Sequence, residues 1–274
     1  MISSEIETST LVFAFLLTLS AGLATGIGSA LAFFTKTTST RFLSISLGFS
    51  AGVMIYVSMV EIFQKAKDAL ELVHGEKLGT IYTVLAFFGG MAAIAIIDKL
   101  IPSGENPHEV RKVEDVKGNK DVNTRKLYRM GIFTALAIAI HNFPEGLATF
   151  VAGLTDPTIA IPIAVAIAIH NIPEGIAVSV PISYATGNRR KAFFLSFLSG
   201  LAEPVGAIIG YFILLPFLND SVFGLLFGAV AGIMVFISLD ELLPTAREYG
   251  EHHLAIYGLI GGMMVMAVSL ILFL

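Results

Sequence analysis

Two six-residue phrases hold the side chains best suited to chemistry. One is His141-Asn142-Phe143-Pro144-Glu145-Gly146; the other is His170-Asn171-Ile172-Pro173-Glu174-Gly175. Each follows an apolar run, Ala137-Ile138-Ala139-Ile140 or Ala166-Ile167-Ala168-Ile169. On a helix, residues four apart share a face, so His141 stacks with Glu145 and His170 with Glu174. An imidazole and a carboxylate in that register make half of a metal site. Asn142 and Asn171 fall about 100° round the helix, where their carbonyls add hard oxygen donors. Two antiparallel helices carrying these phrases at mid-span would bring two His and two Glu together round one divalent cation.

Burial cost weighs on the same side. A carboxylate at the centre of a bilayer costs roughly 2.5–3.5 kcal/mol on insertion scales. A polar cluster that merely joins two helices is the structural alternative, but a duplicated His/Asn/Glu set exceeds what cohesion requires. Pro144 and Pro173 each remove a backbone donor and press on the carbonyl four residues back, so a kink is expected there, lining a cavity. Glu203, in Gly200-Leu-Ala-Glu203-Pro204, is another acid followed by proline and is expected to be a third acidic arm of the site.

The elements that carry these residues must be membrane helices. Of 274 residues, 55% are hydrophobic and 14% charged, and mean hydropathy is +0.81; soluble domains carry about 25% charged residues. Apolar runs mark eight crossings near 9–35, 42–63, 79–101, 127–152, 158–184, 191–215, 221–246 and 253–274. The fold class is an all-α polytopic membrane protein, one transmembrane domain over 1–274. Residues 102–126 read as a flexible cytoplasmic loop. There is no cysteine, so any metal site uses N and O donors. The net charge of −4 gives no sign of a nucleic-acid partner. Glu5 and Glu7, with no basic residue before the first apolar run, are unlike a cleaved signal peptide.

Loops between segments 1–2, 3–4, 5–6 and 7–8 hold fourteen of the 17 Lys and Arg residues. The positive-inside rule then places both termini outside the cytoplasm, with the chain multi-pass in the cell membrane. A longer repeat relates Gly48 through Glu61 to Gly228 through Glu241, and Gly22-Leu23-Ala24 to Gly200-Leu201-Ala202, so that Thr25 falls opposite Glu203. Related segments then run in opposite directions, a 3+2+3 inverted repeat with segments 4 and 5 exchanging across the axis.

Other polar residues leave two readings open. Glu61, Asp240 and Glu241 end the apolar parts of segments 2 and 7; they line an entrance and exit for the ion, or simply meet water. His252 and His253 receive a leaving ion, or are solvated histidines. His108 reads as solvated.

With these residues in view, the sequence resembles the ZIP (Zrt/Irt-like protein) family of divalent metal transporters, in its bacterial ZupT-type branch. The likeness covers nearly the whole chain, and its most specific part is the paired His-Asn-x-Pro-Glu-Gly phrase. It implies import of zinc, and also of iron(II), manganese, cobalt or cadmium, as cargo rather than cofactor. It implies a binuclear centre: His141, Glu145, His170 and Glu174 at one metal, Asn142, Asn171 and Glu203 at the second, with Glu174 shared. It further implies movement of helices 2, 3, 7 and 8 against helices 1, 4, 5 and 6, and a homodimer. Many members carry a histidine-rich loop between segments 3 and 4; here that loop holds only His108. Two other classes compete: a membrane-embedded zinc hydrolase, since His-x-x-x-Glu can hold a catalytic zinc, and a cation-coupled organic-solute carrier, which the lack of intramembrane Lys or Arg disfavours.

Overall fold

The computed structural model of the chain describes residues 7–34, 40–100, 120–155, 157–214, 217, 219–249 and 252–272, and among them there is no strand. In lipid every backbone polar group must be satisfied within its own segment, which leaves these apolar runs only the helix. Eight helical rods result. α1 is Thr8–Phe34. α2 is Thr40–Val57, continued through a π turn at Ser58–Ile62 into Phe63–His74. α3 is Glu76–Leu100, α4 is Lys120–Thr155 and α5 is Pro157–Thr186. α6 has two pieces, Arg189–Gly200 and Ala202–Ile209, the second running into a π turn at Gly210–Leu214. α7 is Asp220–Ile237, a π turn at Ser238–Leu242, and Leu243–Tyr249. α8 is His252–Leu272. Seven of these rods are long and apolar enough to cross a membrane. The remaining one, α4, is 36 residues long and carries the first His-Asn phrase. The chain is an all-α polytopic membrane protein.

Three local features go beyond expectation. α2 continues three turns past its apolar stretch, because the polar residues there pair at helical spacing. Lys65 Nζ stands 3.9 Å from Glu61 and Lys67 Nζ 3.3 Å from Glu71, and Gln64 donates to Asp68 at 2.7 Å. Gly75, at φ 79°, then turns the chain directly into α3. α4 begins at Lys120, so the end of the expected loop is already helical; residues 101–119, His108 among them, lie outside the described residues. Finally, α4 and α5 run through Pro144 and Pro173 without interruption. The break falls in α6 instead, at Leu201 with φ −68° and ψ −8°. Pro204, three residues beyond the break, lacks the amide that would bond to the Gly200 carbonyl.

Inverted repetition governs the packing. α2 lies on α8 as α7 lies on α3, and α1 lies on α5 as α6 lies on α4. The π turns of α2 and α7 start at Ser58 and Ser238, equivalent positions in the repeat. Contacts are dense within two groups of four, α1/α4/α5/α6 and α2/α3/α7/α8, and sparser between them. Glycine sets the spacing inside each group. Gly90 of α3 lies against the Ala229 carbonyl of α7, and Gly262 of α8 against the Phe49 carbonyl of α2. A Cβ at either position would collide with backbone. Gly90→Val and Gly262→Val are therefore expected to destabilise the protein alike, by about 1–3 kcal/mol, as judged by thermal unfolding in detergent. Loss of stability in only one of them would refute the equivalence of the two contacts.

Candidate metal centre

All seven residues expected at the centre lie in the first group of four helices, and all are at most 1% exposed. His141, Asn142 and Glu145 come from α4; His170, Asn171 and Glu174 from α5; Glu203 from the first turn of the second piece of α6. Two close approaches bring the helices together. Gly146 lies on the Glu203 carbonyl and Gly175 on the Thr25 carbonyl of α1, so each Glu is followed by a residue with no side chain to hold its neighbour off.

The closest imidazole–carboxylate partners are crossed between helices. His141 Nε2 is 3.1 Å from Glu174 Oε1, and His170 Nε2 is 3.1 Å from Glu145 Oε2. The pair within α5, His170 and Glu174, is longer at 3.9 Å. Helical spacing alone stacks each His on the Glu of its own helix; two-fold packing of α4 on α5 instead turns each ring toward the opposite helix. Glu174 thereby reaches both histidines. His170 Nδ1 sits 3.2 Å from the Ala166 carbonyl, which assigns the ring proton to Nδ1 and leaves the Nε2 lone pair facing Glu145. A proton or a cation must sit between that nitrogen and the carboxylate.

The asparagines are held the same way on both sides. Asn142 Nδ2 donates to the Ser199 carbonyl at 3.4 Å, and Asn171 Nδ2 to the Ala21 carbonyl at 2.9 Å. Asn171 also donates to Glu203 Oε1. Each amide nitrogen is thus engaged and each amide oxygen turned inward without a partner. Of ten buried side-chain polar atoms lacking a hydrogen-bond partner among the described residues, six belong to this centre: His141 Nδ1, Asn142 Oδ1, Glu145 Oε1, Asn171 Oδ1, Glu174 Oε2 and Glu203 Oε2. Orphaned buried polar atoms are expensive, and most proteins hold few. Three buried carboxyl groups and two imidazoles thus share one pocket in a medium that screens poorly.

No three His, Asp or Glu side chains among the described residues already stand round a common point as a finished cage; the imidazoles and carboxylates are closed on one another. The distances are nonetheless near those of a cage. Zinc donors at about 2.0–2.2 Å in tetrahedral array stand about 3.3–3.6 Å apart. Three donor separations, 3.1, 3.1 and 3.9 Å, lie near that range.

Of the other polar residues, Glu241 lies near enough for its charge to act on His141. Glu61 sits in the π turn of α2, half-buried and ion-paired with Lys65; Asp240 and Glu241 sit in the equivalent π turn of α7, Asp240 exposed. His253 is exposed, its ring stacked on Tyr257 at 6.2 Å, and the His252 side chain lies outside the described residues. What sequence reasoning missed are the backbone carbonyls of Ala21 and Ser199, which orient the amides. Both precede the repeated Gly-Leu-Ala, and that spacing was the signal that could have found them.

Comparisons with known proteins identify the family. The family model described as ZIP Zinc transporter matches residues 100–270. The protein named Zinc transporter ZupT from Clostridium perfringens is 66% identical over 274 residues, covering 96% of each chain. The protein of that name from Streptococcus mutans is 68% identical over 260 residues, covering 95% of this chain and 97% of its own. On the family match and on both relatives, this chain belongs to the ZIP family of zinc transporters.

Proposed function

We propose that this chain carries zinc across the membrane into the cytoplasm, binding it in transit between α4, α5 and α6. The crossed His–Glu pairs are the observation that carries the proposal: four buried nitrogen and oxygen donors from two helices, each histidine 3.1 Å from the glutamate of the other helix. His141, Glu145, His170 and Glu174 bind the first zinc. Asn142, Asn171 and Glu203 offer inward oxygens for a second, with Glu174 between the two. Neutral imidazole and carboxylate also suit iron(II), manganese, cobalt and cadmium, and no thiolate is present to select among them. Zinc must displace protons from these ligands, so acid competes with it. Glu61 and Glu241, at equivalent π turns, line the approach and the departure. The basic loops support cytoplasmic delivery and outward-facing termini.

Membership in a transporter family sets the hydrolase alternative aside: the chain is not an enzyme. Purified protein reconstituted into liposomes tests the proposal. Trapped zinc indicator should brighten when zinc is added outside. His141→Ala and His170→Ala protein, reconstituted in equal amount, should give only the leak of empty liposomes. Wild-type flux no greater than that leak would sink the proposal.

A further inference from the structure

Repeat symmetry gives the centre two equivalent ends. At one end Asn171 donates to the Ala21 carbonyl at 2.9 Å and to Glu203. At the other, Asn142 donates to the Ser199 carbonyl at 3.4 Å, and the residue in Glu203's place is Thr25. Two further pairs of contacts fix the equivalence. Gly146 of α4 lies on the Glu203 carbonyl as Gly175 of α5 lies on the Thr25 carbonyl. A Cβ on Gly22 would stand 3.4 Å from Glu203 Cβ, and one on Gly200 would stand 2.7 Å from both Thr25 Cβ and Thr25 Oγ1. Thr25 is thus Glu203's counterpart in backbone and in side-chain direction.

Thr25 is wholly buried, and its hydroxyl has no hydrogen-bond partner. Hydroxyls inside helices commonly bond back to the carbonyl four residues earlier. Thr18 does so to Ala14 at 2.9 Å, Ser29 to Thr25 at 2.8 Å and Thr149 to Glu145 at 2.9 Å. Thr25 does not, and the carbonyl it would use, Ala21, is taken by Asn171. Its Cβ and Oγ1 both lie against Gly200 of α6. Asn142 Oδ1 is also without a partner. One end of the centre therefore offers an amide oxygen and a carboxylate, the other an amide oxygen and a hydroxyl.

Resting on the two-cation centre above, we infer that Thr25 determines where the second divalent cation sits. A neutral residue at this position leaves the Asn142 side of that second site short of charge, so the cation sits on the Asn171–Glu203 side, with Asn142 reaching it from across. Thr25 is then a specificity-determining residue, and moving the carboxylate should move the cation.

Calorimetric titration of the full-length protein with zinc in detergent tests this. Wild type should bind two zinc ions, and Glu203→Thr should weaken the second by at least about tenfold, as loss of a ligand or its support does. Thr25→Glu combined with Glu203→Thr should recover the second ion, the carboxylate now standing at the mirrored end. Thr25→Asp alone, a smaller change, should add zinc beyond the wild-type number. Unfolding temperatures without zinc identify which variants are folded. A folded double variant binding no more than Glu203→Thr, or a folded Thr25→Asp protein binding no more than wild type, overturns the inference. Wild-type protein that takes up one zinc or none disproves the two-cation centre itself, and that failure shows before any variant is compared.

Discussion

Zinc uptake into vesicles is expected to fall by about 100-fold or more when Glu174 is replaced by alanine. Among the described residues Glu174 is the one carboxylate within 4 Å of both histidines, 3.1 Å from His141 and 3.9 Å from His170. Changing a residue that only supports a ligand already costs about 10–100-fold in metal affinity; a carboxylate touching both imidazoles should cost at least the upper end. Glu174→Gln separates charge from shape, since the amide keeps the volume and loses the anion, and it should fail almost as badly. A second readout is thermal. At zinc concentrations about a hundredfold above Kd, wild type should gain about 2.7 kcal/mol of stability from binding, and Glu174→Ala should gain little. Were this cluster only a polar fastening between helices, alanine would shift stability and leave uptake per folded molecule unchanged. Radioactive-zinc uptake equal to wild type at matched protein amount would exclude the centre.

Gly146→Val should be the most damaging change outside the ligands. A Cβ at Gly146 would fall on the backbone carbonyl and Cα of Glu203, and backbone has no rotamer by which to yield. α4 and α6 must then separate, which draws Glu203 away from Asn171. The expected loss is about 3 kcal/mol or more, the upper end for overpacked sites, with uptake abolished. Gly175→Val should act similarly, through the Thr25 carbonyl. Gly89→Val supplies the control: it is also mid-helix, but nothing lies within 4 Å of the place a Cβ would take there, and thermal unfolding in detergent should barely change. Equal melting of Gly146→Val and Gly89→Val would show that α4 and α6 are not in backbone contact.

Much of this molecule is legible in its residues. The crossings follow from hydropathy, because lipid leaves apolar runs no alternative to the helix. The seven centre residues follow from a repeated phrase and from Glu203 before Pro204. The repeat of Gly48–Glu61 in Gly228–Glu241 is readable as well, and the equivalent π turns at Ser58–Ile62 and Ser238–Leu242 bear it out. Three things were not legible. Hydropathy ends α2 at its last apolar turn, while the helix is carried to His74 by charged pairs that a hydropathy window cannot see. Proline marks a weak point but not whether neighbours bridge it: Pro144 and Pro173 sit in continuous helices, while Pro204 follows a break at Leu201. Helical spacing pairs His141 with Glu145, yet the short contacts cross to the opposite helix, because which partner wins depends on how α4 meets α5.

The placement of the glycines has a mechanical consequence. Every described glycine that lies against a neighbouring helix touches a helix of its own group of four. Where main chain rests on main chain, sliding by even an ångström meets hard atoms, so each quartet behaves as a solid block. Contacts between the quartets are sparser, and packed surfaces of that kind can shear. Displacement is therefore cheapest along the seam between them, and the proposed zinc ligands, all fastened to one block, would travel together without their own geometry changing.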